Sequence, residues 1–451
     1  MIKLARVCHS WREIFISNTS LWTSLDCTGV NKTRLYLERS KTSPLRIYLG
    51  EWFLGNAFLL TVPHLDRWEN LFFYGSSNIL LRLIQHFGST SPFLKTLSLT
   101  VRNGEEFVLQ DSVFGGNLSS LHKLHLDRVI TNLAWKNMSS LRSFELSAVP
   151  ADKISVTQLL DLFEGAPLLR RILLDEAFPD SSDAPPGRIV PLPNLEFLAV
   201  IAQPSHTILM NHLSIPTGAS IRQAFAFRNP KAKSQIHSQL PKDLKNLKHL
   251  SNITSIDLNF DEGVYLQLGG PSGNHDILGD WIGYGCPSAS AGRRVLQSLD
   301  VFPVLAVEKL TISHWEFTTS PSVTVEESSI YHTLHLMTNL RTLTLTACVN
   351  LRFISVLNPK ENGSGTVICP KLEQLIVYVE RKDRFFFKAL LAMAEERDFR
   401  GAKLENVTIT CSGSFVPESE VLKLRTHVSH IEYRLDSDMS EWDILCPSWY
   451  E

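Results

Sequence analysis

The chain has 451 residues, of which 44% are hydrophobic and 20% are charged, and its formal net charge is −2 at pH 7. These values are typical of a folded globular protein and argue against intrinsic disorder. The balanced charge gives no reason to expect a nucleic acid or an anionic membrane as a partner. The seven cysteines are scattered and include no Cys-x-x-Cys pair, so neither a disulfide framework nor a zinc site is predicted.

The first fifteen residues do not read as a secretory signal, because Arg6, His9, Arg12 and Glu13 interrupt any apolar run. The longest apolar run, near residues 52–63, is far shorter than the roughly 20 residues that span a bilayer. The sequence therefore predicts a cytoplasmic or nuclear protein that does not bind a membrane.

The first predicted element in chain order is an amphipathic helix near the N-terminus. Its apolar face is formed by residues at helical spacing, namely Leu4, Val7, Cys8, Trp11 and Ile14. A turn at residues 18–20 leads to a second apolar cluster with Leu21, Trp22 and Leu25. From these residues alone, the helix could cap a repeat array or present a docking surface to a partner.

A short strand pattern, apolar-x-x-apolar-x-apolar, recurs through most of the remaining chain. Ten clear copies begin at Leu94, Leu121, Leu141, Leu169, Leu195, Ile253, Val307, Leu340, Leu372 and Leu404. Weaker copies begin at Trp68 and Val428, and Ile221 starts a degenerate candidate in the long gap before Ile253.

The spacing of these copies indicates a repeat protein. It is 27, 20, 28 and 26 residues from Leu94 to Leu195, and 33, 32 and 32 residues from Val307 to Leu404. These values lie at or above the roughly 20–29-residue period of leucine-rich repeats. Helical patterns lie between several copies, and one helix–strand unit cannot bury its own apolar face. We therefore predict an α/β fold, an irregular leucine-rich-repeat-like solenoid with parallel inner strands and outer helices.

Two segments depart from the repeat. Residues 261–292 are rich in glycine and contain Gly269-Gly270-Pro271, which predicts a long insertion loop. The loop lacks the Lys-Ser/Thr of a phosphate-binding P-loop. Residues 231–248 contain five lysines but no aromatic residue, so a solvated connector is predicted there, not a nucleic-acid-binding segment.

Strand residues alternate between the two faces of a sheet, so residues between the buried positions are predicted to face outward. In the early strands several of these positions are charged. Six of them form the predicted partner-binding site: Lys123, His125, Asp127, Glu145, Arg171 and Asp175. A protein partner that binds these charges and a merely solvated face are both compatible with the pattern.

No catalytic motif accompanies the repeat. The sequence contains no Gly-x-Ser-x-Gly, Gly-x-Gly-x-x-Gly, Walker loop or His-Glu-x-x-His. We therefore expect a non-catalytic protein that needs no cofactor. An enzyme built on the glycine-rich 261–292 segment is a remote alternative.

The N-terminal residues resemble part of an F-box. Val7-Cys8-x-x-Trp11-Arg12-x-Ile14, followed by Leu21-Trp22-x-x-Leu25, is similar to the later part of F-box domains, especially those of large fungal F-box families. The segments 33–40 and 43–49 also resemble the continuation of those proteins. The opening Leu-Pro-x-Glu helix of an F-box has no counterpart here, so the resemblance is to an incomplete F-box.

The resemblance implies a partial F-box and connector at residues 1–49, and a leucine-rich-repeat-like substrate-binding region at residues 50–451. It implies the function of a substrate receptor in a Skp–cullin–F-box ubiquitin ligase, with a Skp-family adaptor, a cullin and a protein substrate as partners. The residues implied for adaptor binding are Leu4, Val7, Cys8, Trp11, Ile14, Leu21 and Trp22. The alternative is an intracellular repeat scaffold without adaptor binding.

Overall fold

The structure is a computed structural model. It describes residues 8–50, 52–53, 55–88, 91–102, 106–110, 113–116, 118–131, 138–150, 153–177, 185–201, 206–226, 253–259, 263–270, 273–280, 299, 302, 304–313, 327–346, 351–361, 365–379, 384–411 and 418–435. The chain divides into two compact units, Met1–Ala219 with Pro241–Asn246, and Ser220–Leu240 with Leu247–Glu451. The basic segment 231–248 lies outside the described residues.

The first unit contains twelve described strands. They are β1 Ser24–Leu25, β2 Leu45–Leu49, β3 Trp68–Gly75, β4 Thr96–Val101, β5 Phe107–Leu109, β6 Lys123–Asp127, β7 Val129–Thr131, β8 Ser143–Ser147, β9 Arg171–Asp175, β10 Val190–Pro191, β11 Phe197–Ile201 and β12 Leu213–Ser214. Its described helices are α1 His9–Ser17, α2 Val30–Ser40, α3 Gly55–Leu59, α4 Ser77–Ile84, α5 Val156–Gly165 and α6 His206–Met210. Short 3₁₀ turns cover Thr19–Trp22, Val62–Arg67 and Val113–Gly116.

Eight of these strands form one parallel sheet in the order β1-β2-β3-β4-β6-β8-β9-β11. Two small parallel pairs, β5 with β7 and β10 with β12, lie beside it. The sheet begins with β1 and β2, inside the 1–49 segment that the resemblance assigns to a partial F-box and connector.

The apolar strand pattern explains the core of the first unit. One cross-strand row is 0% exposed at every position and consists of Ile47, Leu71, Leu97, Leu124, Phe144, Ile172 and Leu198. Burying each such side chain contributes about 1.5–3 kcal/mol. Helix α5 starts at a capping box, in which Ser155 and Gln158 satisfy each other's backbone N–H groups.

The second unit has nine described strands: β13 Ser220–Ala226, β14 Ser255–Asn259, β15 Gly263–Gly270, β16 Gly273–Asp280, β17 Lys309–Ser313, β18 Thr342–Leu345, β19 Gln374–Val379, β20 Leu404–Cys411 and β21 Val428–Leu435. Its described helices are α7 Glu327–Leu336, α8 Leu351–Leu357, α9 Arg384–Phe399 and α10 Glu418–His427, with a 3₁₀ turn at Val304–Ala306. The strand order is β13-β16-β15-β14-β17-β18-β19-β20-β21, antiparallel from β16 to β14 and otherwise parallel. The predicted mixed α/β class with extensive parallel strand pairing is confirmed.

The prediction of a loop at residues 261–292 is wrong over 263–270 and 273–280. These residues form the antiparallel pair β15 and β16. The physical reason is the alternation of buried Leu266 and Leu268 with Gln267, which is a strand period and not a loop pattern. Residues 281–292 lie outside the described part of the chain.

A buried arginine connects a helix of the second unit to the turn that precedes β19. Arg397, near the end of α9, is 0% exposed and donates from its two terminal nitrogens to the carbonyl oxygens of Ile368 and Cys369, at 2.8 and 3.0 Å. Cys369 precedes β19 and has a positive φ of 47°. Burial lowers the pKa of Arg397 to about 10, so it remains charged at neutral pH.

Candidate partner-binding face

One face of the first-unit sheet, here called the open face, lies opposite the buried row. Parallel register aligns its side chains in three rows across the strands. Row 1 consists of Arg46, Asn70, Thr96, Lys123, Ser143, Arg171 and Phe197. Row 2 consists of Tyr48, Phe72, Ser98, His125, Glu145, Leu173 and Ala199. Row 3 consists of Tyr74, Thr100, Asp127, Ser147, Asp175 and Ile201. All six residues of the predicted partner-binding site lie on this face.

Glu145 is at the centre of the charged residues on the open face. Its carboxylate lies 3.0 Å from Lys123 Nζ and 3.0 Å from His125 Nδ1, and Arg171 Nε is 3.7 Å away. Because an ionised carboxylate only accepts hydrogen bonds, His125 is the donor. The Glu145 side chain is 13% exposed. The structure thus joins four of the six predicted residues in one cluster, here called the Glu145 network.

The surroundings of Glu145 hold it in the charged form. The hydrogen bond from His125 is the largest cause of a pKa lowered to about 2; Lys123 acts in the same direction and burial opposes both. Arg171 also lies over the Phe197 ring, 4.6 Å from its centroid. The basic groups of the network therefore already have partners within this chain, and an outside partner must compete with Glu145 for them.

The two remaining predicted residues, Asp127 and Asp175, lie apart from the network in row 3. Ser147 separates them in the register. Burial raises the pKa of Asp127, against the charges of Arg128 and His125. Burial, together with the nearby charges of Glu176 and Asp127, raises the pKa of Asp175. Within the described part of the chain, neither carboxylate has an ion-pair partner within 4.0 Å.

Besides Phe197 in row 1, three aromatic side chains outside the predicted site belong to the open face. Tyr48 and Tyr74 are 41% and 47% exposed, and Tyr48 stacks on Phe72 with ring centroids 4.8 Å apart. The guanidinium of Arg102 lies over the Tyr74 ring, 4.7 Å from its centroid. The weak strand copy beginning at Trp68 carries the signal for two of these residues, because Phe72 and Tyr74 occupy its outward positions.

The structure corrects the assignment of Trp22 to an adaptor-binding surface. Its indole is 1% exposed and packs edge-on against Phe15 and Tyr36, with centroids 4.7 and 5.2 Å away. The indole nitrogen donates to the Phe15 carbonyl oxygen at 2.9 Å, and Arg39 lies over the ring. Trp22 is therefore a core residue that anchors α1. Phe15, absent from the predicted apolar face, is buried, whereas the other described side chains of that helix are exposed.

The other residues predicted for adaptor binding differ in their exposure to solvent. Cys8 is exposed, Ile14 is 62% exposed and Leu21 is half-buried. Leu4, Val7 and the side chain of Trp11 lie outside the described part of the structure. The outward position of Ile14 leaves an apolar side chain of α1 available to a partner.

No group of three or more His, Cys, Asp or Glu among the described residues is placed to hold a metal ion. Among those same residues, no helix has the length and apolar character that a membrane crossing requires. Comparison with protein-family models and with curated protein sequences finds no match to this chain.

Proposed function

We propose that this protein is the substrate receptor of a Skp–cullin–F-box ubiquitin ligase and binds a protein substrate on the open face. The main support is the open face itself, where seven parallel strands, β2 to β11 in the sheet order, align charged and aromatic side chains in three rows. Each main strand of the first unit pairs with the next one along the chain, as expected for a leucine-rich-repeat-like solenoid.

The adaptor-binding part of the proposal depends on α1. The F-box resemblance places Ile14 in contact with the adaptor, and its 62% exposure is compatible with that role. The burial of Phe15 and Trp22 supports a second candidate, an intracellular scaffold in which α1 only covers the core. The two candidates differ in whether the exposed side of α1 binds a Skp-family adaptor.

Co-expression with a Skp-family adaptor and size-exclusion chromatography test the ligase proposal. The wild-type chain is expected to co-elute with the adaptor, and Ile14→Glu is expected to abolish co-elution. Ile16→Glu is the matched control, because Ile16 is also exposed on α1, at 40%, but is not an implied contact. Failure of the wild-type chain to co-elute would refute adaptor binding and favour the scaffold.

A further inference from the structure

The aromatic end of the open face offers contact area to a partner. Tyr48 and Phe72 stack with an interplanar angle of 5°, and Tyr74 on the same strand as Phe72 is 47% exposed. Large rings lose little conformational entropy on binding and favour apolar, aromatic or proline side chains. This end of the face therefore fits an apolar side chain of a partner.

The opposite end of row 3 has the electrostatic character to bind a cation. Asp127 and Asp175 are partly buried and have no ion-pair partner within the described residues, in contrast to Glu145. The basic residues Lys123 and Arg171 lie in row 1, four strand residues away from row 3 and roughly 13 Å along the strand. Arg128 follows Asp127 and acts on its charge, but its guanidinium donates to the Val101 carbonyl oxygen. A basic side chain of a partner that lies over row 3 would therefore face carboxylates, because the basic residues of row 1 are paired with Glu145.

The spacing along row 3 matches an extended peptide. Tyr74, Asp127 and Asp175 are each separated by one intervening strand in the sheet order. Neighbouring strands are about 4.8 Å apart, so each interval is roughly 10 Å. An extended chain advances about 3.3 Å per residue, which makes each interval equivalent to about three residues.

We propose that the open face binds an extended peptide segment of a protein partner, crossing the strands along row 3. The segment carries an apolar or aromatic residue that packs on the rings of Phe72 and Tyr74. Lysine or arginine follows three and six residues later and pairs with Asp127 and Asp175. This proposal rests on the receptor function proposed above and specifies which peptide chemistry the receptor binds. The predicted peptide binding itself depends only on the residues of the open face.

Fluorescence anisotropy at low ionic strength with two labelled synthetic peptides tests the proposal. The first, Gly-Ser-Phe-Ser-Gly-Arg-Ser-Gly-Arg-Ser-Gly, has the expected spacing. The second has the same composition with both arginines directly after phenylalanine. Two partly buried ion pairs each strengthen binding by a few-fold, so the first peptide is expected to bind about tenfold more tightly. Equal affinities would overturn the proposal.

Substitutions on the open face test whether the peptide binds at row 3. Asp127→Asn with Asp175→Asn is expected to remove the difference between the two peptides, and Tyr74→Ala to weaken both by about threefold or more. Glu196→Gln is the control, because Glu196 is an exposed carboxylate outside the three rows. Circular dichroism verifies that each variant is folded. Retention of the peptide preference in the double Asp variant would refute the assignment to row 3.

The peptide experiment and the adaptor experiment test the two proposals independently. If the adaptor co-elutes but the peptides bind equally, the receptor function is supported and the partner chemistry is wrong. If the spaced peptide binds through row 3 but the adaptor does not co-elute, the ligase function is wrong and the peptide-binding face is supported.

Discussion

Glu145 in the first unit and Arg397 in the second are both largely removed from water, and their surroundings stabilise them differently. Glu145 in the first unit is 13% exposed and contacts three basic side chains. Arg397 in the second unit is 0% exposed and donates to two backbone carbonyl oxygens. The pKa of Glu145 is lowered to about 2 because hydrogen bonds stabilise its charge, and that of Arg397 to about 10 because burial disfavours its charge.

This difference in exposure indicates that the basic partners of Glu145 can bind an outside ligand, whereas the contacts of Arg397 stabilise the fold. Lys123 and Arg171 are 43% and 52% exposed at the side chain, so they can turn towards an outside ligand without opening a core. The carbonyl oxygens that Arg397 binds belong to the turn before β19. Removing Arg397 takes this donor from both buried oxygens, although the Cys369 oxygen still accepts from the Leu372 N–H at 3.0 Å. Loss of a hydrogen bond to a buried carbonyl oxygen is costly. We therefore expect substitution to have a larger effect on stability at Arg397 than at Glu145.

The largest effect is expected for Arg397→Met. The substitution retains much of the apolar stem but removes both hydrogen bonds to the turn, so it should lower the free energy of unfolding by about 2–4 kcal/mol. Urea-induced unfolding followed by circular dichroism measures the change. Arg400→Met is the control, because Arg400 pairs with Glu396 and donates to the Gly365 carbonyl oxygen at an exposed position. These exposed contacts should contribute less than about 1 kcal/mol. Equal effects at the two positions would contradict a structural role for Arg397.

An intermediate and pH-dependent effect is expected for Glu145→Gln. At pH 7 the substitution should lower the free energy of unfolding by about 2 kcal/mol, because the ionised carboxylate is favoured in the folded state. The folded pKa of about 2 lies below the usual 4.5. The stabilisation is therefore fully present above about pH 4.5 and is lost as the pH falls towards about 2.

Unfolding curves at several pH values between 7 and about 2 provide the measurement for Glu145→Gln. The difference between wild type and variant should shrink steadily below about pH 4.5. Glu196→Gln removes an exposed carboxylate paired with Arg170, both more than half exposed, and should show little difference at any pH. A Glu145→Gln difference that does not change with pH would mean that the network does not stabilise the charged carboxylate.

The smallest effect is expected for Lys123→Met, at about 0.5 kcal/mol, because Lys123 is 43% exposed and solvent screens its pairing with Glu145. The pair can be isolated with a double-mutant cycle. In the Glu145→Gln background, Lys123→Met should have almost no effect, since the charge it pairs with is gone. An undiminished effect in that background would show that Lys123 stabilises the protein through packing and not through Glu145.

Much of the sheet follows from local sequence, because burial in a parallel strand requires apolar residues at fixed alternate positions. Leu97, Leu124 and Ile172 mark three such strands, and all are 0% exposed. The same alternation places Lys123 and Glu145 on the opposite face. The antiparallel strands at 263–270 and 273–280 are missed because the sequence there is rich in glycine, although Leu266 and Leu268 show the two-residue period of a strand.

The alternation of apolar residues within a segment does not predict interactions between residues that are distant in the sequence. Helical spacing places Ile14 on the apolar face of α1, but packing against Trp22 selects Phe15 for burial. Trp22 itself resembles a docking residue in sequence, and only its contacts with Phe15 and Tyr36 show that it belongs to the core.

The sequence by itself determines which strand residues are buried and which face outward, because that choice depends on a two-residue period and on hydrophobicity within a single segment. Tertiary structure alone decides which outward residues meet, because register joins residues that are far apart in the chain. Glu145 therefore acquires the basic partners His125 and Arg171 from two neighbouring strands. Asp127 and Asp175, equally charged in the sequence, share a row, and neither has an ion-pair partner within 4.0 Å among the described residues.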